Sequence, residues 1–253
     1  MSAVMLETTS TEPRAPEPHA ARRDGPALFT RADVAHAEKQ LIRRGRWPKA
    51  ELWRARIAGD EWVVKDFRPR DVVTRNTIGL WLLGREWRAL ARVSGIPGTP
   101  PDAFRIDRHA LAYRFIPGRP LAKVPFREQP KEYFEKLESL LEAVHARGVV
   151  HLDNRNCNNI LMTDRGEPAL VDFESNLATG RLPRAIGDWL RGFDRAGVYK
   201  HWARANRDSM GAERQAALDS MNRWRKVWVL RGIWFVPREV GKMWRRLRGK
   251  PAK

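Results

Sequence analysis

Residues Val149 to Asn176, VVHLDNRNCNNILMTDRGEPALVDFESN, decide how the rest of the chain is read. Two apolar runs, Asn159-Ile160-Leu161-Met162 and Ala169-Leu170-Val171, flank a polar turn from Thr163 to Pro168. Short apolar runs joined in this way predict a β-hairpin fed by a loop. His151 and Asp153 precede the first run, Asn158 and Asn159 stand at its start, and Asp172-Phe173 closes the second. Carboxylate and amide oxygens are thereby expected at one end of the hairpin, a set of hard ligands suited to magnesium beside a phosphate.

The chain upstream supplies possible partners for that end. Glu51 to Ile57 and Glu61 to Phe67 flank Ala58-Gly59-Asp60, which predicts another hairpin with Lys65 inside its second strand, on the face opposite Val64. Ile78, Leu82, Leu83, Trp87, Leu90 and Ala91 recur at helical spacing and predict a helix over Val72 to Val93, stopped by Gly95 and Pro97, with Glu86 beside the apolar stripe. Strands are expected at Phe104 to Ile106 and Ala110 to Ile116, the latter running into a Pro117-Gly118 connector. Tyr133, Leu137, Leu140, Leu141 and Val144 predict a helix over Lys131 to Arg147, which leads into the opening stretch. A further basic helix is expected from about Pro183 to Ala203.

The order H-x-D-x-x-x-x-N followed by D-F resembles the catalytic and metal-binding loops of the protein-kinase-like superfamily. A lone H-x-D or D-F carries little information. Lys65, Glu86, Asp153, Asn158 or Asn159, and Asp172, in this order and each on the expected kind of element, carry much more. The resemblance covers about residues 40 to 205. It implies an α+β fold of two lobes, a small β-rich N-lobe over 27–116 and a mainly helical C-lobe over 117–220. It also implies ATP and Mg2+ as cofactors, with the γ-phosphoryl group passing to a hydroxyl acceptor. In that scheme Asp153 accepts the hydroxyl proton, and Arg155 neutralises charge on the transferring group. Lys65, held by Glu86, faces the nucleotide phosphates, backbone groups near Phe115 and Ile116 hold adenine, and Asp172 binds magnesium. The second metal ligand is an asparagine. The family spacing selects Asn158, whereas the place directly before the strand selects Asn159, which is favoured with Asn158 in reserve. His151 is expected to brace the loop.

Three departures from the family pattern shape the expectation. Glu174 replaces the glycine of D-F-G, which removes backbone freedom there. The segment around Gly45-Arg46-Trp47-Pro48-Lys49 holds only one glycine where a glycine-rich loop would cover the phosphates, so basic Arg43, Arg44, Arg46 and Lys49 are candidate substitutes. No A-P-E follows Asp172, and a long peptide-docking segment is not expected. These features resemble small bacterial kinases of the Rio and lipopolysaccharide-core-kinase type, whose acceptor is often a sugar hydroxyl on a membrane lipid. A protein serine or threonine is the other acceptor that the resemblance allows.

Composition sets the remaining limits. A chain of 253 residues can bury a substantial core. With 48 Lys and Arg against 30 Asp and Glu, its net charge of +18 calls for an acidic partner such as nucleotide, an anionic membrane or nucleic acid. Cys157 is the only cysteine, so a disulfide within the chain and a cysteine-built zinc site are excluded. No secretory signal or spanning segment is visible, and a cytoplasmic protein, peripheral on a membrane, is expected. Residues 1–26, rich in proline and poor in apolar side chains, are expected to form a disordered tail. Residues 221–253 carry eleven lysines and arginines against Glu239, a net +10, interleaved with Trp224, Trp228, Trp234 and Trp244. That composition suits an interfacial helical segment on an anionic leaflet, broken at Pro237, although the Trp face would also suit packing on the C-lobe. Nucleic acid is not expected, since no recognition motif accompanies the charge. Two other readings stay open: a nucleotide-binding pseudokinase scaffold, and a basic membrane- or nucleic-acid-binding module with a vestigial kinase core.

Overall fold

Two apolar faces on the same strands organise the N-terminal part of the protein. The computed structural model describes residues 27–45, 47–125 and 129–226. The expectations for residues 1–26 and for most of the basic tail, from 227 onward, lie outside the described residues. Strands β1 (Glu38–Arg43), β2 (Glu51–Ile57), β3 (Asp60–Asp66), β4 (Phe104–Asp107) and β5 (Ala110–Arg114) form one antiparallel sheet in the order β1-β2-β3-β5-β4. Period-two alternation sends Trp62, Val64 and Ala112 to the outer face, where Phe29, Trp62 and Phe104 meet edge to face at 4.8–5.7 Å. Helix α1 (Arg31–His36), capped by Thr30 and Asp33, follows Phe29. Val63, Phe67, Leu111 and Tyr113 join the main core, with Lys65 between Val63 and Phe67 in the alternation.

The expected helix over Val72 to Val93 is two helices, α2 (Val72–Asn76) and α3 (Ile78–Val93). Thr77, at φ −118° and ψ −94°, makes the break. Its hydroxyl donates to the Val73 carbonyl at 2.6 Å, and the Asn76 amide donates to the Val72 carbonyl at 2.9 Å. Such local side-chain bonds compete with continuation of the helix. Leu82, Leu83, Ala89, Leu90 and Val93 bury the inner stripe of α3, and Glu86 is buried with them.

After Phe115 to Pro117 the chain enters the second part through β6 (Gly118–Pro120). Helix α4 (Lys131–Ala146) buries Phe134, Leu137, Leu141 and Val144, each contributing about 1.5–3 kcal/mol by its removal from water. The predicted hairpin forms from β8 (Ile160–Thr163) and β9 (Pro168–Leu170), and β6 adds a third strand that the sequence pattern did not predict. β7 (Val149–Val150) pairs with β10 (Leu177–Ala178), which closes both ends of the opening stretch on each other. Helix α5 (Arg184–Asn206) packs against α4 and α6 (Ala212–Lys226). A small antiparallel N-lobe and a helical C-terminal part therefore give the two-lobed kinase-like α+β fold. One continuous core runs through both parts, from Val63 and Leu83 to Phe134, Phe173 and Trp202.

Candidate active site

The loop after β7 is built on a carboxylate that sequence reasoning missed. Asp194 of α5 is fully buried. Its oxygens accept the backbone N–H of His151 at 2.5 Å and of Leu152 at 2.7 Å, and Oδ2 lies 3.1 Å from His145 Nε2. Its own carbonyl accepts from the Asn154 amide at 2.8 Å. Held this way, Leu152 takes a left-handed conformation, φ 62°. The chain then turns His151 inward and leaves Asp153 half-buried. Close approach of α5 requires Gly197, because a Cβ there would lie 2.0 Å from Asn154 Oδ1. The available signal was one acid, Asp194, at helical spacing between Leu190 and Val198.

His151 is fully buried and joins the two loops of the opening stretch. Its Nε2 lies 3.0 Å from the Val171 carbonyl, its ring packs on Phe173 at 4.7 Å, and its Nδ1 is 3.3 Å from the Asp153 N–H. Asn159, buried at the start of β8, donates from Nδ2 to Asp153 Oδ2 at 2.8 Å and to the Asp153 carbonyl at 3.1 Å. Asn158 is exposed and bonds back to Asn156. Of the two competing asparagines, Asn159 is therefore the one beside Asp153. Burial pushes the Asp153 carboxyl up against the opposing pull of the Asn159 hydrogen bond, which makes it a better proton acceptor than an exposed aspartate.

The N-lobe contributes a lysine shared between two carboxylates. Lys65 Nζ lies 2.6 Å from Glu86 Oε1 and 2.6 Å from Asp172 Oδ1. Burial works against the Lys65 charge, but Asp172 and then Glu86 outweigh it and its pKa is raised. One ammonium cannot serve every acid nearby. Burial, together with Asp172 and Glu174, pushes Glu86 up to about 7 against the pull of Lys65. Asp172 is lowered, because Lys65, with help from Lys49 and Arg43, overcomes its burial. Asp172 itself is left-handed, φ 63°, so the strained backbone position precedes the glycine position of D-F-G. Glu174, in that glycine position, is buried. Its backbone carbonyl accepts from Arg85, and one oxygen from each of Glu86, Asp172 and Glu174 falls within 4.8 Å of the others. Sequence reading registered Glu174 only as a lost glycine.

Two of the nominated groups make contacts within the chain itself. The Arg155 guanidinium turns toward α5, donating to the Ala196 carbonyl at 3.1 Å, and lies 3.5 Å from Asn222 on α6. The Phe115 N–H donates to the Glu61 carbonyl at 2.8 Å, and its ring carries the Arg54 guanidinium at 4.1 Å, so this N–H is already committed where an adenine contact was expected. Ile116 follows, half-buried.

The donor set fits magnesium. Asp172 offers carboxylate oxygen, and the Asn159 amide, whose nitrogen is committed to Asp153, has an oxygen whose contact with the Asn156 amide is a long 3.5 Å. The arrangement brings a carboxylate with a raised pKa, a buried ammonium and hard oxygen donors close to one another. Residues 60–189 match the family model of the RIO domain, just over half of the chain. No curated protein matches the chain.

Proposed function

Since the chain belongs to the RIO domain family of kinase-like ATP-binding phosphotransferases, we propose that it moves the γ-phosphoryl group of magnesium ATP to the hydroxyl of a membrane glycolipid sugar. The observation that carries the transfer is the pairing of Asp153 with Asn159 opposite the Lys65, Glu86 and Asp172 triad. Asn159 holds one Asp153 oxygen, and the other accepts the proton of the acceptor hydroxyl, orienting it for attack. Lys65 draws the phosphates to the cleft, with Glu86 holding it in place. Magnesium at Asp172 and Asn159 would neutralise charge on the phosphates.

A glycolipid acceptor is supported by how little chain follows Asp172. Between Asp172 and α5 there are only a 3-10 turn, the two-residue β10 and a short bend, which leaves no extended platform for a peptide. Exposed Val72, Val73 and Trp81 on the N-lobe helices, exposed Trp224 on α6 and the basic tail suit a protein working peripherally at the cytoplasmic face of a membrane. No helix of the described residues is long and apolar enough to cross one. Incubating the full chain with membrane extract and isotopically labelled magnesium ATP, then analysing lipids and proteins by mass spectrometry, tests both parts. Label on a glycolipid that disappears with Asp153→Ala is expected. Label on protein serine or threonine alone would replace the acceptor, and no label on any acceptor would remove the transferase reading.

A further inference from the structure

The turn between β1 and β2 covers the cleft without the glycines that normally let backbone amides approach phosphates. Gly45, its one glycine, is used in folding the turn onto itself. A Cβ at Gly45 would meet the Lys49 and Ala50 carbonyl oxygens at 2.3 and 2.4 Å. Arg70 donates to the Gly45 carbonyl at 2.6 Å and to Glu51 at 3.1 Å, tying the turn to the chain after β3. Among the described residues at and beside this turn, two side chains meet the acids of the site. Arg43 Nη1 stands 3.7 Å from Asp172 Oδ2, and Lys49 Nζ stands 3.4 Å from Glu174 Oε1.

These pairs differ from the Lys65 pairs in ways that suit exchange. Both distances exceed the ~2.7–2.9 Å of a charge-assisted hydrogen bond, whereas Lys65 sits at 2.6 Å from each partner. The Arg43 and Lys49 side chains are 39% and 41% exposed, against 2% for Lys65. Arg43 Nε is shielded from solvent and has no hydrogen-bond acceptor among the described residues, so the guanidinium retains a donor for an incoming oxygen. The charge of Lys49 favours the ionised forms of both Asp153 and Asp172.

We propose that Arg43 and Lys49 bind the β- and γ-phosphates of the nucleotide by their side chains, in place of glycine-loop amides, and that they leave Asp172 and Glu174 to do so. With Asp172 held to a magnesium ion, Arg43 would be without its carboxylate partner and open to phosphate oxygens. Lys49 makes the corresponding exchange from Glu174. This inference rests on the phosphotransferase reading above. It adds a prediction of its own, that these two cations contribute to the discrimination between ATP and AMP beside Lys65 and the metal.

Calorimetry on the full chain with ATP, ADP and AMP tests it. Arg43→Met and Lys49→Met should each weaken ATP by about tenfold or more, while AMP binding changes little and circular dichroism stays as in wild type. Lys49→Arg should keep the preference for ATP. Glu174→Gln should tighten ATP measured without magnesium, because it releases Lys49 and removes a negative charge facing the phosphates. If wild type prefers ATP to AMP and both methionine variants show an undiminished preference, the inference is overturned and the transferase reading stands. Weaker magnesium-free ATP binding in Glu174→Gln would also overturn it. If wild type binds no ATP at all, both fall together.

Discussion

The two borders of the cleft are held by opposite means. The C-terminal border, from His151 to Asn159, is fastened by buried hydrogen bonds to Asp194 and Val171. The N-terminal border, at Arg43 and Lys49, meets the site through part-exposed ion pairs of 3.7 and 3.4 Å. Bonds shielded from water resist exchange, since breaking one strands a desolvated group, while solvent-facing ion pairs contribute little and exchange readily. The difference suits the chemistry proposed: the group that takes a proton keeps one geometry, and the cations that take phosphate remain free to move.

The contrast can be broken most forcefully at Asp194. Asp194→Ala orphans the buried His151 amide, the part-buried Leu152 amide and the His145 contact, and should cost about 3–5 kcal/mol in chemical denaturation, with phosphotransfer lost as well. A loss below about 1 kcal/mol would show that the catalytic loop does not depend on this brace. At the reacting oxygen, Asp153→Asn should lower phosphotransfer by about a hundredfold to ten-thousandfold with a normal unfolding curve.

A pH test probes the same border from behind. Burial, opposed by a bond to the Asn154 carbonyl, pushes His201 down from 6.5 to about 4. The native state therefore binds fewer protons than the unfolded chain between those values. Its contribution, about 3 kcal/mol, is present above pH 6.5 and is lost as pH falls toward 4. His145 is raised by its bonds to Asp194 and Glu142 despite burial, and works in the opposite sense. Comparing wild type with His201→Gln by urea denaturation at pH 7.5 and 4.5 separates the two. The variant should lose less stability on acidification. The smallest effect belongs to the other border: Arg43→Met should alter stability by no more than about 0.5 kcal/mol, read from the same denaturation curves. A change of several kcal/mol there would erase the distinction between the borders.

Much of this frame was readable before any coordinates. The β2–β3 and β8–β9 hairpins followed from apolar runs around Gly59-Asp60 and Asp164-Arg165-Gly166, because a strand declares itself by local alternation. The stripe of α4 did so by its three- and four-residue spacing. The break at Thr77 was hidden, since the periodicity runs straight across it and only two side-chain bonds to carbonyls interrupt the helix. β6 and the β7–β10 pair were hidden for another reason: segments of two or three residues acquire strand geometry only from a distant partner.

The site divides in the same way. Residue type and order along the chain, read through the resemblance to the protein-kinase-like superfamily, nominated Lys65, Glu86, Asp153, Asn159 and Asp172. Which asparagine faces Asp153, where the Arg155 guanidinium goes, and that Glu174 joins Glu86 and Asp172 were decided only when α5 and the sheet closed around the loop. Side-chain direction depends on which buried acceptor lies within about 3 Å, and those acceptors come from residues some 40 positions away, such as Asp194 and Ala196. The sequence by itself determined which chemical groups the cleft has at its disposal. The tertiary structure decided which of them are fixed and which can exchange, because burial and partner distance exist only once the chain has packed.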